Sequence, residues 1–332
     1  MSHYQHLSIK ERESIWENLI KGRTLSEIAF QIGRSVATVS RELKRNSNKE
    51  GYRPSEAQSC YEKRRRKCRR TLLLEKGPLK ETVCALLTGQ QWSPEQISHR
   101  LAFEGKATVS YNTIYRAIEN GTMEEKGVRK NRLGRYPMSK YLRRKGWRSK
   151  KKSHKNPQNF IHQTIEERPK AAETRSQFGH WEGDLVYSSF HKVYIVTLVD
   201  RRSRYLLTGI SNSKKPKDIA EVFYRLLKDL PPKMVKTITL DRGKEFAEHT
   251  KVTSKLPHVK FYFAHPSSPW ERGLNENTNG LLRQYVPKYT YKVPLSQQLL
   301  CDFTSKLNHR PRKCLHWKSP VEIFFHKSLH LT

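Results

Sequence analysis

The segment 178–332 carries a definite order of strand and helix patterns, which restricts the fold more than any other feature of the chain. Three apolar, strand-like runs come first, and they read LVYSS, VYIVTLV and RYLLTGI. A helix is then predicted at about 216–230, followed by the strand TITLD and a short helix near 244–250. The strand KFYFAH comes next, and a long helix is predicted from about 270 to 285.

Three strands followed by helix, strand, helix, strand and helix is the mixed α/β order of an RNase-H-like fold of the integrase type. The chain before this segment has helical patterns, so we expect a multidomain protein with an all-α N-terminal region. The predicted parts are a helix-turn-helix domain at 1–60, a basic connector at 61–77, a second helical or helix-turn-helix domain at 78–121, a basic linker at 122–177 and the RNase-H-like domain with C-terminal helices at 178–332.

Three carboxylates in the last segment form a candidate metal site. Asp184 lies in the apolar setting of HWEGDLVY, and Asp241 closes the strand TITL. Glu276 follows after 34 intervening residues, in the helix-like stretch ERGLNENTNGLLRQYVPK. An aspartate at the end of a buried strand is costly unless a metal or another cation pairs it. We therefore expect Asp184, Asp241 and Glu276 to hold two divalent metal ions, the arrangement that cuts and joins phosphodiester backbones.

Other carboxylates compete for these roles. Glu182 lies two residues before Asp184 and shares its strand face, so it is predicted to be an accessory ligand or to support the ligands from outside. Glu271 is the strongest rival to Glu276, because it lies five residues earlier on the same predicted helix. Asp200 closes VYIVTLV, and the arginines that follow it predict a salt bridge.

Polar residues surround Glu276 as well. Asn279, in the amide-rich NENTNG, is a candidate accessory residue, and Arg283 lies two helical turns after Glu276, where it is predicted to contact a phosphate. The stretch HPSSPWERG at 265–273 is predicted to be a loop over the active site, with Trp270 beside a distorted DNA end. The alternative is a helix N-terminus with Trp270 packed in the core.

The N-terminal residues 24–46 have the pattern of a helix-turn-helix. Ala29 is small where two helices approach, Gly33 suits a tight turn, and Val39 follows inside the next helix, for which Ser35 is a plausible N-cap. The alternative is a helical hairpin with a solvated basic face. The second helix offers groups for bases or phosphates, namely Thr38, Ser40, Arg41, Lys44 and Arg45.

A second helical unit and two basic runs follow. Ser93 starts a capping box with Pro94 and Gln96, and another helix is predicted from about 110 to 119. We interpret this unit as a second helix-turn-helix, the alternative being a bundle that only supports the first. The residues predicted to contact DNA at its exposed helix start are Asn112, Thr113 and Arg116. The basic run KRRRKCRR and the basic linker are expected to contact DNA phosphates.

The charge balance favours a polyanionic partner. The 332 residues include 65 Lys and Arg against 31 Asp and Glu, a net charge of +34. No apolar run reaches the length of a membrane-spanning helix, and MSHYQHLSIKERES lacks the apolar core of a secretory signal. The five cysteines form no CxxC pair, as expected for reduced thiols. We therefore expect a cytoplasmic protein that works on nucleic acid, without a membrane partner.

Several stretches resemble the transposases of the insertion-sequence 30 family. They are HWEGDLV, LDRGKEFAEH, FYFAHPSSPWERGLNENTNGLLRQYVPK, TLSEIAFQIGRSVATVSRELKRN and LNHRPRKCLHWKSPVEIF. The resemblance spans nearly the whole chain and implies a transposase with an Asp-Asp-Glu triad, Asp184, Asp241 and Glu276. It further implies Mg²⁺, which Mn²⁺ can replace, with two ions in each active site. The N-terminal region would bind the terminal inverted repeats of the element. Only this resemblance implies a prokaryotic, nucleoid-associated protein.

The resemblance also implies a reaction course. Water attacks one strand at the element end, and the exposed 3′ hydroxyl then attacks another phosphodiester in line. A circular intermediate with abutted ends is implied, followed by insertion into DNA at a preferred target. Two ends must meet, so a homo-oligomer, at least a dimer on DNA, is expected. Two alternatives remain open at this point: a related integrase or nuclease on the same fold, and a non-catalytic helix-turn-helix regulator. A regulator would have no need of three carboxylates in this order.

Overall fold

The structure of the protein is a computed structural model, which describes residues 5–68, 72–125, 127–142, 163–266, 268–287 and 294–330. The chain forms two compact units, Met1–Leu72 and Leu73–Thr332. The first unit holds four helices and a small hairpin. Its elements are α1 (Ile9–Ile20), α2 (Leu25–Gln31), α3 (Val36–Asn46), β1 (Ser47–Asn48), β2 (Gly51–Tyr52) and α4 (Pro54–Lys67).

The turn between α2 and α3 confirms the predicted helix-turn-helix. Gly33 adopts a φ of 63°, in the left-handed region that glycine enters without steric cost. Ser35 accepts a hydrogen bond from the Thr38 amide and so caps α3. Ala29 and Val39 are buried in the core of this unit. Four of the basic residues in KRRRKCRR form the exposed last turn of α4.

The second unit begins with three helices, α5 (Pro78–Thr88), α6 (Pro94–Phe103) and α7 (Tyr111–Glu119). Ser93 and Gln96 form the predicted capping box at the start of α6. Ile97, Ile114 and Leu87 are fully buried between the three helices. The folded part extends beyond residue 121, because Met138, in a short 3₁₀ turn, is buried against the same core.

The stretch predicted to be a basic linker has folded residues at both of its ends. Its central part, 143–162, with Trp147, lies outside the described residues. Towards its end, Thr164 forms a β-bridge with Phe263, at the edge of the sheet described next. Arg168 is buried and donates a hydrogen bond to Thr239 Oγ1. The helix α8 (Lys170–Thr174) follows.

The sheet confirms the RNase-H-like fold. Its strands are β3 (His180–Ser188), β4 (Val193–Asp200), β5 (Leu206–Ser211), β6 (Thr237–Leu240) and β7 (Lys260–Phe263). The spatial order is β5-β4-β3-β6-β7. The first three strands are antiparallel neighbours, whereas β6 pairs with β3 and β7 pairs with β6 in parallel. The three consecutive strands thus form one half of the sheet, and the two strands reached through helices form the other.

Helices cover both faces of this sheet. One face carries α9 (Pro216–Leu227), whose apolar side packs on Trp181, Leu198 and Leu240. The other face carries α11 (Gly273–Leu282) and α12 (Gln297–Asn308), which pack on Val186 and Ile195. The chain also forms α10 (Thr250–Lys255) after β6 and α13 (Pro320–Phe324) after α12. The long helix predicted from about 270 to 285 is not continuous. It consists of a 3₁₀ turn at Pro269–Arg272 followed by α11.

Asp200 is held differently from the prediction of a salt bridge. Its carboxylate accepts hydrogen bonds from the Ser203 amide and hydroxyl, and from the Gly179 amide. The prediction was wrong because the next residue, Arg201, turns back to Glu182 on the neighbouring strand β3. Burial raises the pKa of Asp200, and the hydrogen bonds to Ser203 and Gly179 oppose that rise.

Candidate active site

The strand register places Asp184 and Asp241 side by side. The parallel pairing of β3 with β6 sets Glu182 opposite Thr239. Two residues further on, the same register sets Asp184 opposite Asp241, on the same face of the sheet. Gly183 lies between the two acidic residues of β3. Because it has no side chain, Leu240 and Phe223 can pack closely against the other face of the sheet at this point. A Cβ there would lie 2.5 Å from Leu240 Cδ2.

One guanidinium group bridges the two aspartates. Arg272 Nη2 lies 2.8 Å from Asp241 Oδ2, and Arg272 Nη1 lies 3.7 Å from Asp184 Oδ1. Burial raises the pKa of the Asp184 carboxyl. Arg272 opposes this rise, whereas the charge of Asp241 adds to it. Two carboxylates on neighbouring strands thus require a shared cation, and Arg272 supplies it. Arg272 was not among the residues predicted from the sequence. Its position four residues before Glu276 was a signal that it lies near the candidate site.

Further hydrogen bonds fix the orientation of both carboxylates. Asn279 Nδ2 donates to Asp184 Oδ2 over 2.7 Å, and Thr197 Oγ1 donates to Asn279 Oδ1 over 3.3 Å. The Gly243 amide donates to Asp241 Oδ1 over 3.0 Å. Each aspartate is therefore held at a defined orientation, with the predicted accessory residue Asn279 in direct contact with Asp184.

Glu182 attaches α11 to the strand below it. It is 1% exposed, its Oε1 accepts from Arg201, and its Oε2 accepts from the Asn275 amide over 3.3 Å. The Asn275 side chain donates to the Gly183 carbonyl over 2.9 Å. One carboxylate oxygen of Glu182 thus positions the start of α11, while the other binds Arg201.

The structure separates Glu276 from its rival Glu271. Glu271 accepts from the His265 amide and from His265 Nδ1, both over 2.9 Å, and this hydrogen bond raises the pKa of His265. Glu276 is exposed in the first turn of α11. On a helix with about 100° per residue, it lies on the same side as Asn279, whose side chain contacts Asp184. Arg272, which contacts both aspartates, lies in the turn immediately before this helix.

The donors present suit a hard divalent cation. Asp184 and Asp241 already share a positive group, and carboxylate oxygens are the ligands that Mg²⁺ prefers. Within the described ranges, no three His, Cys, Asp or Glu side chains lie close enough together to hold a metal ion. The structure thus brings Asp184 and Asp241 together. Glu276 lies on the neighbouring helix α11, but not close enough to the two aspartates to form a three-ligand metal site with them.

Two further predicted residues lie near α11. Trp270 is 74% exposed, which excludes the alternative of a core position for its ring. It lies in the 3₁₀ turn immediately before α11. Arg283 caps the far end of α11 and donates to the Tyr187 carbonyl over 2.9 Å. Its contact with a phosphate stays a prediction.

The predicted DNA-contacting residues lie on α3 and α7. On α3 the side chains of Ser40, Arg41, Lys44 and Arg45 are exposed, whereas Thr38 is half-buried and its hydroxyl lies 2.9 Å from Ser35 Oγ. Asn112 and Arg116 are exposed on α7, and Thr113 is half-buried. Within the ranges described, no helix is long and apolar enough to cross a membrane.

Sequence comparison gives close relatives over almost the full chain. The transposase InsI of insertion sequence element IS30A from Escherichia coli is 36% identical over 323 residues, covering 96% of this chain and 83% of the relative. The transposase of insertion sequence element IS4351 from Bacteroides fragilis is 36% identical over 325 residues, covering 96% and 95%. The transposase of IS1086 from Cupriavidus metallidurans is 34% identical over 331 residues, covering 96% and 94%.

A family model described as a helix-turn-helix domain matches residues 3–46. Among solved structures, the catalytic core domain of BIV integrase aligns with 45% of this chain and 94% of its own, at 18% identity and a TM-score of 0.36. The similarity to transposases over 96% of the chain, together with the helix-turn-helix, defines a polynucleotidyl transferase that acts on DNA. The chain belongs to the insertion-sequence 30 family of transposases.

Proposed function

We propose that the protein binds the terminal inverted repeats of an insertion element and catalyses DNA cleavage and strand transfer at Asp184, Asp241 and Glu276. The observation that carries the proposal is the pair of aspartates on neighbouring strands, which share one cationic group beneath the helix that bears Glu276. The transposases from E. coli and B. fragilis, similar over 96% of the chain, support the same reaction.

The three carboxylates are proposed to hold Mg²⁺ or Mn²⁺, two ions in each site. When bound, such ions activate the attacking oxygen and stabilise the leaving oxygen of a phosphodiester. Asn279 and the Gly243 amide hold Asp184 and Asp241 at fixed orientations, so little rearrangement of the carboxylates is needed on binding. Glu182 and Asn275 hold the start of α11, and with it the backbone position of Glu276.

The same proposal covers the partners of the protein. The exposed basic face of α3 suits the major groove of the element end, and α7 offers a second face for DNA. Two element ends have to be joined, so a homo-oligomer, at least a dimer on DNA, is proposed. Such a protein would work on DNA in the bacterial cytoplasm.

Strand transfer with the purified protein tests this function. The substrate is duplex DNA with the element's own ends, with Mg²⁺ or Mn²⁺ or with EDTA. Metal-dependent cleavage and joining are expected for the wild type, with loss in Glu276→Gln because a neutral amide is a poor metal ligand. Glu271→Gln is the matched control and is expected to retain activity, because Glu271 binds His265.

Loss of activity in Glu271→Gln with activity retained in Glu276→Gln would assign the third metal ligand to Glu271. A wild type that binds ends but neither cleaves nor joins them, with either metal, would favour a regulatory protein. Each variant is compared with the wild type for end binding and for its free energy of unfolding. A lost reaction then reports on chemistry and not on folding.

A substitution in α3 tests the predicted DNA contacts. Arg41→Ala removes an exposed cation from that helix, so it is expected to weaken end binding. If Arg41 contacts a phosphate, the slope of log K against log salt falls by about 1, whereas a base contact costs about 1–3 kcal/mol at one base pair. The measurement is fluorescence anisotropy with labelled duplexes. Lys10→Ala, on the exposed surface of α1, is the control. Unchanged affinity and slope in Arg41→Ala would exclude this contact.

A further inference from the structure

A basic cavity lies beside the first turns of α11. Arg175, Arg204 and Arg312 line this cavity of about 200 Å³ together with Cys314. The rest of the lining comes from α11, namely Gly273, Leu274, Asn277 and Thr278. No aspartate or glutamate belongs to the lining. Guanidinium groups around one cavity repel one another, and the half-buried Arg204 and Arg312 lose hydration, whereas Arg175 is exposed.

The charges of Arg175 and Arg204 are not balanced by carboxylates. Among the residues that the structure describes, neither arginine forms an ion pair, and the buried Arg204 Nε has no hydrogen-bond partner. Burial lowers the pKa of Arg204 and the charge of Arg175 lowers it further, whereas a hydrogen bond with Cys314 opposes the shift. Glu182 is the carboxylate whose charge acts on the pKa of Arg204, but it already forms an ion pair with Arg201. The cavity therefore has an excess of positive charge.

The backbone at two of these arginines is also unfavourable. Arg175 has a φ of 56° and Arg204 a φ of 64°, both in the left-handed region that glycine or asparagine adopts more readily. Arginine at such positions adds conformational cost without helping the turn. Strained backbone occurs at ligand sites, and here it accompanies the excess of positive charge.

We infer that this cavity binds a phosphate group of the DNA backbone, at a site separate from the paired aspartates. Guanidinium groups match the geometry of phosphate oxygens, and a bound phosphate would balance the charges of Arg175 and Arg204. The cavity is large enough, since one water takes about 30 Å³ of liquid volume. On α11, Leu274, Asn277 and Thr278 lie opposite the side that carries Glu276 and Asn279. The site therefore binds DNA away from the reacting strand.

The choice of DNA as the source of the phosphate rests on the proposed function, whereas the anion site itself does not. Cys314 allows a direct test, because its thiol is exposed and lines the cavity. A full-length variant keeps Cys314 as its single cysteine, through Cys60→Ser, Cys68→Ser, Cys84→Ala and Cys301→Ser. Its alkylation by iodoacetamide is measured with EDTA, in the absence and presence of saturating duplex DNA.

DNA is expected to slow the alkylation of Cys314 severalfold. A second single-cysteine variant that keeps Cys301 is the matched control. That thiol is also exposed but lies on α12 outside the cavity, so its alkylation rate is expected not to change. Inorganic phosphate, added without DNA, is the third arm. Protection by phosphate but not by DNA would overturn the assignment to the DNA backbone.

Arginine variants connect the protection to the cavity. Arg175→Asn and Arg204→Asn remove one charge each, and asparagine tolerates the left-handed backbone at both positions. Each is expected to reduce the protection ratio and to lower the salt slope of DNA binding by about 0.9, the value for one phosphate contact. Arg225→Asn, on the helix covering the other face of the sheet, is expected to change neither quantity.

The outcomes separate this site from the proposed function. A Cys314 single-cysteine protein that binds DNA without any change in alkylation overturns the cavity as a phosphate site and leaves the transposase proposal intact. Protection that persists unchanged in Arg175→Asn and Arg204→Asn overturns it as well, because DNA would then cover Cys314 without the arginines. Protein that binds no DNA overturns both proposals. Loss of strand transfer alone bears only on the paired aspartates.

Discussion

Asp241→Asn is expected to abolish strand transfer while leaving binding to the element ends intact. The substitution keeps the shape of the side chain but removes one of the two charges that share Arg272. Carboxylates that hold catalytic metal ions stabilise transition-state charge by several kcal/mol. A loss of about 4 kcal/mol corresponds to a rate lower by about 10³-fold. The measurement is single-turnover cleavage of a labelled element end, with end binding followed separately.

The stability of the same variant separates chemistry from folding. Asp184 and Asp241 are like charges, and Arg272 affects the pKa of Asp184 more strongly than Asp241 does. Asp241→Asn removes the repulsion together with a partly exposed ion pair to Arg272, and the two effects oppose each other. We expect Asp241→Asn to unfold at about the same urea concentration as the wild type. Asp229→Asn, an exposed charge just after α9, is the matched control and should retain full activity. Undiminished strand transfer in Asp241→Asn would refute the proposed active site.

Local patterns explain how much of the fold was predictable. Strand β4 is an almost continuous apolar run, and β3 and β5 each contain a shorter one. Strands β6 and β7 are short apolar segments between helical stretches, so the type and order of the strands follow from residues close in sequence. The helix-turn-helix was predictable for the same reason, because Gly33 and Ser35 act within one turn. Helix ends were less certain, and the predicted 270–285 helix begins only at Gly273.

Contacts between distant residues explain what was missed. Arg272 reaches Asp241 across 31 positions of the chain, and nothing in the local pattern specifies that contact. Asp200 was predicted to pair with adjacent arginines, yet the tight turn directs amide groups at its carboxylate and sends Arg201 to Glu182. The partner of a charged residue depends on the tertiary arrangement, whereas its presence in a strand depends on its neighbours. Candidate residues were therefore easier to predict than their contacts.

A buried ion pair between α6 and α13 provides the second large expected effect. Arg100 Nη1 and Nη2 bind the two oxygens of Glu322 over 2.8 and 2.9 Å, and Arg100 Nε binds Glu104 over 2.6 Å. Arg100 is 3% exposed. Arg100→Met would leave two buried carboxylates without their shared cation, which costs about 3–5 kcal/mol. With about 2–4 °C per kcal/mol in a domain of this size, Tm should fall by about 10 °C.

A compensating variant and a pH series check the cause of that loss. Arg100→Met combined with Glu104→Gln and Glu322→Leu removes the uncompensated charges, so part of the lost stability should return. Burial raises the pKa of Glu322, but hydrogen bonds from Arg100, Ser319 and Leu329 outweigh this and lower it to about 2. A lowered carboxyl pKa stabilises the fold above its unfolded value of 4.5, and that stabilisation is lost as the pH falls towards 2. The stability difference between wild type and Arg100→Met should therefore narrow across this window, as measured by urea unfolding. A difference that stays constant from pH 7 to pH 3 would instead point to lost packing of the arginine side chain.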